Sequence, residues 1–192
     1  MAFRKPAGYD DAEAVSGGFQ EPKAGPCVLG IVHAEVNIKD GEQQLVLQLD
    51  IAAGPFKNYY SKQSKRFEKN RLLRVWQNVE GKGVPYFKGL IKAIEESNDG
   101  FTFRFEDGEQ VLEKKLVGGN LREEEYMKSD GVTVGTSLRV GYLCSIGSIE
   151  RGEHKVMSVK KLKVQTDEYN QAPQPGVSEA DFDQSVPAPE DF

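Results

Sequence analysis

The chain has little of what marks most enzymes and secreted proteins. Its two cysteines, Cys27 and Cys144, stand alone in apolar, strand-like runs, which argues against a disulfide scaffold and for reduced, buried thiols. The two histidines, His33 and His154, lie far apart, and neither has a partner at metal-ligand spacing. No nucleotide-binding loop or dinucleotide fingerprint is present, and "EGKGVP" and "VGGN" read as turns because they lack the strand, turn and helix context of a phosphate cradle. No apolar run approaches the roughly 20 residues that span a bilayer. The start, "MAFRKPAGYDDAEAV", lacks the apolar stretch of an export signal. These absences lead to the expectation of a cytoplasmic protein with no membrane segment, no cofactor and no metal.

A further absence is one of sign. Past Lys163 there is no Lys or Arg, whereas Asp167, Glu168, Glu179, Asp181, Asp183, Glu190 and Asp191 all lie there. Residues 1–166 therefore hold 25 basic and 23 acidic side chains, a net of +2, and the last 26 residues carry −7. The overall −5 hides a mildly basic body and an acidic tail. That tail has four prolines and almost nothing to pack, the composition of a disordered segment. It ends in "PEDF", where Phe192 with its own carboxylate, beside Glu190 and Asp191, suits a small apolar pocket ringed by basic groups. The same acids can also compete with nucleic acid for the body's basic surface.

The body reads as mostly β with one helix. Residues 1–25 form an arm, 26–164 the folded domain and 165–192 the tail. "CVLGIVHAEVNI" and "QQLVLQLDIA" flank an Asp-Gly turn signal and predict a hairpin. "VPYFKGLIKAIEESNDG" places Val84, Phe87, Leu90, Ile91 and Ile94 at helical spacing, with Pro85 early and Asn98 to Gly100 as a stop. "FTFRFEDGE" alternates like a short strand or belongs to a large loop. "QVLEKKLVGGNLREEEYM" and "TSLRVGYLCSIGSIERGEHKV" predict a second hairpin across "KSDGVTVG". A few antiparallel strands leave exposed edges unless the sheet closes, so this order suits a five-stranded, partly closed barrel of the OB type; an α+β sandwich with the helix covering one open face is the alternative. Gly118, Gly119, Gly141 and Gly147 are expected where strands bend.

The stretch from Phe56 to Trp76 resists a secondary-structure reading but is chemically distinctive. It holds seven basic residues, Lys57, Lys62, Lys65, Arg66, Lys69, Arg71 and Arg74, against one acid, Glu68, interleaved with Tyr59, Tyr60, Phe67 and Trp76. Cations that track phosphates and flat rings that stack on bases are what a single-stranded nucleic acid groove needs. Tyr59 and Tyr60 are the first stacking candidates, then Trp76 and Tyr86; Arg104, Lys114, Lys115, Arg122 and Arg139 can extend the positive face. The plainer reading is a solvated basic surface whose rings belong to the core.

Together, the barrel-like body, the Pro- and Gln-containing linker and the acidic tip ending in Phe192 resemble the single-stranded DNA-binding proteins of bacteria and their phages. "LVGGNLREEEYMKSDGVTVGTSLRVGYLCSIGSI" also looks like a family of small phage proteins found among recombination genes, thought to be divergent single-strand binders with an OB fold. The resemblance implies a non-catalytic protein that covers single-stranded DNA during phage replication or recombination in the host cytoplasm. It implies recruitment of replication or recombination proteins through Asp183, Glu190, Asp191 and Phe192, and self-association as a dimer or higher oligomer. In that family a proline usually precedes the final Phe; here Asp191 stands in its place. Two other classes stay open: a phage structural or adaptor protein, and a magnesium-dependent nuclease using Glu123, Glu124, Glu125 and Asp130 with Glu35, Asp50 or Glu106.

Overall fold

Asp40 and Gly41 both adopt positive φ, 54° and 84°, the backbone that a tight two-residue hairpin turn demands. They join β1 (Gly25–Lys39) to β2 (Glu42–Ile51) in an antiparallel pair, as the Asp-Gly signal predicts. The structure is a computed structural model that describes residues 4–5, 7–10 and 20–162. The tail, including Asp183, Glu190, Asp191 and Phe192, lies outside the described residues, as does most of the N-terminal arm.

Alternation along β2 turns Leu45, Leu47, Leu49 and Ile51 inward, and all four are buried. In β1 the inward set changes parity. Leu29 and Ile31 are buried before an irregularity at Val32, and Ala34 is buried after it. One inserted residue therefore switches which side chains face the core.

β3 (Leu73–Asn78) pairs with β2, β4 (Leu116–Met127) pairs with the first part of β1, and β5 (Val134–Cys144) pairs with β4. Every pairing is antiparallel, and the strand order is β3-β2-β1-β4-β5. The two end strands, β3 and β5, approach each other without a hydrogen-bonded ladder. The sheet is thus partly closed. With a helix between β3 and β4, this is an OB-like architecture, as expected from the sequence. That helix, α2 (Val84–Glu96), carries Pro85 at its start, buries Leu90, Ala93 and Ile94, and packs on β3, β4 and β5.

Two local expectations need correction, and of the two alternatives left open for "FTFRFEDGE" the loop is the one found. Among the described residues there are two further α-helices besides α2: α1 (Tyr59–Phe67), inside the basic segment, and the short α3 (Ile146–Glu150), where continued strand was expected. Residues 101–112 form no strand; they make two short 3-10 turns, and Asn98 ties the loop down through hydrogen bonds to the main chain of Ile94 and Leu116. Of the four glycines expected at bends, Gly141 is the extra residue of β5 where the ladder shifts between Asn120 and Leu121, but Gly147 sits in α3. Gly119 serves close packing instead, because a Cβ there would collide with Leu29.

Cys27 and Cys144 are both free and half-buried. Burial, then the nearby Cys144, pushes the Cys27 thiol up from its ordinary 9.0 to about 12. No helix among the described residues is long and apolar enough to cross a membrane.

Candidate nucleic-acid interface

The open seam between β3 and β5 borders two clefts. The larger, of about 1100 Å³, lies between β3, β5 and α2, and is lined by Arg74 and Trp76 of β3, Tyr86 of α2, and Arg139 and Tyr142 of β5. Five residues singled out from the sequence, Arg74 and Trp76 of β3, Tyr86 of α2, Arg122 of β4 and Arg139 of β5, therefore line one cleft. The rings of Trp76 and Tyr86 remain available there, at 54% and 73% exposure. Trp76 is the cross-strand partner of Val46 on β2, and among the described residues β3 has no hydrogen-bonded strand on its other side.

The second cleft, of about 880 Å³, lies between α1, the start of β3 and the β4–β5 hairpin. Tyr59, Tyr60, Arg66, Phe67 and Arg71 form one side, and Tyr126, Ser137 and Arg139 are on the other. Phe67 is half exposed with two guanidinium groups over its ring, Arg71 at 4.4 Å and Arg66 at 5.4 Å from the centroid, distances at which a cation is attracted to the ring face. Tyr59 and Tyr60 both pack against the core and meet edge to face, with centroids 5.1 Å apart. Burial, then the neighbouring Tyr59, raises the Tyr60 phenol. Arg139 borders both clefts.

A distant carboxylate holds the basic helix in place. Asn58, which precedes α1, makes no capping hydrogen bond with its side chain. Asp50, at the end of β2 and 3% exposed, accepts instead from the main-chain N–H of Tyr60 at 3.0 Å and Ser61 at 2.8 Å. These are unpaired donors of the first helical turn, and a negative charge there also complements the helix dipole. A buried acid thus anchors the helix that presents Lys62, Lys65 and Arg66.

Charge at the seam is unbalanced. Arg122 and Arg139 are direct cross-strand partners in the β4–β5 ladder, a like-charge pairing that costs stability unless compensated. Glu124 binds Arg122 at 2.6 Å and Lys160 at 2.9 Å; hydrogen bonding from Lys160, then Arg122, holds its carboxyl below the usual range. Among the described residues, neither the Arg139 nor the Arg74 side chain has an ion-pair or hydrogen-bond partner.

The remaining predicted cations are scattered. Lys62 borders a smaller hollow beside Phe56 and Tyr59, and Lys57, Lys65 and Lys69 are outside these clefts, as are Arg104 and Lys114. Lys115 instead lies over the Phe101 ring at 4.4 Å. Tyr142 is the cleft residue that sequence reasoning missed. Its hydroxyl accepts from Asn120 at 3.2 Å and from the Lys155 main chain at 2.9 Å, which pins the ring at the wall. Alternation in "RVGYLC" does not place it, because the extra residue at Gly141 shifts the side-chain parity between Val140 and Tyr142.

The acids of β4 and the turn after it are engaged except for Glu123, which lines the second cleft. Glu125 accepts from the Leu162 N–H, Glu124 holds two cations, and Asp130 accepts from Val132 and Thr133 in the turn. Among the described residues, no three His, Cys, Asp or Glu side chains gather as a metal site requires. No protein-family model matches the chain, and comparison with curated proteins finds no match.

Proposed function

We propose that the chain binds single-stranded DNA without strong sequence preference, as a non-catalytic covering protein. The observation that carries this reading is the pairing of two accessible rings, Trp76 and Tyr86, with two unpartnered guanidinium groups, Arg74 and Arg139, along one cleft at the open seam. Bases stack on the rings and phosphates meet the cations, a combination that tolerates any sequence because every base has a π-face. The cations around Phe67 and on α1 continue the same chemistry into the second cleft. In this reading the acidic tip, with Phe192 at its end, recruits replication or recombination proteins in a phage-infected cell, and the protein works in the cytoplasm.

The test is fluorescence anisotropy of labelled oligo(dT), oligo(dA), the matching oligo(rU) and a duplex. Each is titrated with the full chain and with a chain ending at Thr166, at low and high salt and without magnesium. Salt-sensitive binding to single strands over duplex, retained without the tail, supports the reading. Failure to bind either DNA single strand overturns it.

A further inference from the structure

One carboxylate of the second cleft has no partner. Val117 and Leu121 face the core from β4, so alternation puts Glu123 on that same face, two residues beyond the last buried position of the strand. Its cross-strand partner is Leu138, which packs against the core. Here the β4–β5 hairpin forms one wall of the cleft, and Glu123 lines it with Thr136 and Leu138. The main-chain carbonyl of Glu123 accepts from the Lys160 N–H, but its carboxylate has neither a hydrogen bond nor an ion pair among the described residues. The carboxylates of Glu124 and Glu125 beside it are both occupied. The opposite wall carries Phe67 with the Arg71 guanidinium 4.4 Å from its ring centroid, a flat platform on which a base stacks. A carboxylate repels phosphate, so a nucleotide that lies in this cleft turns its base toward Glu123 and its phosphate away.

We propose that Glu123 reads guanine at one position of the bound strand. An ionised carboxylate only accepts hydrogen bonds, and its two oxygens match two adjacent donors. Guanine offers that pair on its Watson–Crick edge, the ring N1–H beside the 2-amino group. Adenine and cytosine each set one amine beside a ring nitrogen that is itself an acceptor, and thymine sets its single N–H between two carbonyls. These three bases therefore bring an acceptor against the carboxylate. Arg139 borders the same cleft and takes the adjoining phosphate. Glu21 is the other acid of the cleft, but it belongs to the tyrosine wall, where burial, then Glu21, raises the Tyr59 phenol. The inference rests on the single-strand binding proposed above, and it adds one position of base preference to a surface that is otherwise indifferent to sequence.

Anisotropy titrations of the full chain test this with labelled dT oligomers that carry one central guanine, hypoxanthine, adenine or cytosine, or no substitution. A single guanine per strand avoids four-stranded assemblies. The guanine oligomer should bind about five- to tenfold tighter than the unsubstituted one, the lower part of the range for one bidentate base contact. Hypoxanthine, which keeps N1–H and lacks the 2-amino group, should lose most of that gain. Glu123→Ala should bring the guanine oligomer down to the level of the unsubstituted one. Glu21→Ala removes the same charge from the opposite wall and should keep the guanine preference. Equal binding of the guanine and unsubstituted oligomers by the native chain overturns the inference and leaves single-strand binding standing. Failure to bind any of the oligomers overturns single-strand binding and the guanine contact with it. A guanine preference that survives Glu123→Ala, or that hypoxanthine shows in full, also overturns the inference, because the base is then read by another group or through another edge. Both acids are exposed, and circular dichroism of each variant establishes that the fold is intact.

Discussion

Arg122 and Arg139 stand directly opposite each other on β4 and β5, and Glu124 neutralises only the first. The result is one compensated guanidinium set in the ladder and one left facing the junction of two clefts. An anion at Arg139 relieves a repulsion that the fold itself leaves standing.

Arg139→Ala should therefore weaken single-strand binding while leaving stability unchanged or slightly raised. Each lost phosphate contact on a single strand lowers the slope of log affinity against log salt by about 0.7. A titration across salt concentrations reads this directly. A weaker variant with an unchanged slope would mean that Arg139 acts through packing and does not meet phosphate.

Trp76 is the single tryptophan of the chain, so its emission reports on one place. Binding of oligo(dT) should quench it. Trp76→Ala should cost roughly 1–3 kcal/mol of binding, the range for one base stacked on a ring, and Trp76→Phe should recover much of that. Because Trp76 is the cross-strand partner of the buried Val46, the Ala variant should lose a smaller amount of stability, about 0.2–1 kcal/mol for a cross-strand pair. Unquenched emission at saturation would move the stacking platform elsewhere, to Tyr86 or Phe67.

Asp50 has a structural role that is separable from binding. Asp50→Ala strands the N–H groups of Tyr60 and Ser61 at the start of α1, and each unpaired donor costs about 1–3 kcal/mol. Urea unfolding should show the loss, and hydrogen exchange should locate it at these amides. Asp50→Asn, which keeps an acceptor, should be milder. Equal exchange at Tyr60 and Ser61 in native and Ala chains would show that the helix does not depend on the carboxylate.

These particulars explain what was legible in the sequence. The first hairpin announced itself through an Asp-Gly turn between alternating runs, α2 through apolar spacing, and the β4–β5 hairpin through its two β-rich runs. α1 gave no such signal, because none of its residues is buried and its sequence, "YYSKQSKRF", has no apolar stripe; it is held by a carboxylate from β2. The site was legible as composition but not as geometry. Arg74 and Trp76 could be nominated from the basic, aromatic run, whereas the shared position of Arg139 depends on which strands end the sheet. Tyr59 and Tyr60, ranked first for stacking, pack partly into the core, and the more exposed rings are those ranked below them.

The alkaline side of the stability curve follows from two half-buried acids. In the folded chain burial raises the Cys27 thiol to about 12 and raises the Tyr60 phenol as well. A raised folded-state value stabilises fully below the unfolded-state value, and the contribution is lost as pH rises toward the folded one. Cys27 therefore contributes in full below about 9 and loses its contribution between about 9 and 12, where the unfolded chain releases a proton that the folded chain keeps. Tyr60 adds to the decline from about 10 upward. Each proton held only by the folded state steepens the decline by up to roughly 1.4 kcal/mol per pH unit. Urea midpoints measured through this range should fall with pH, and Cys27→Ala should flatten the slope between the two values. Alkylation at neutral pH should label Cys27 slowly until urea exposes it, since the thiolate is the reactive form. Rapid labelling of Cys27 in the folded chain, or an alkaline slope unaltered in Cys27→Ala, would show that burial does not hold its proton.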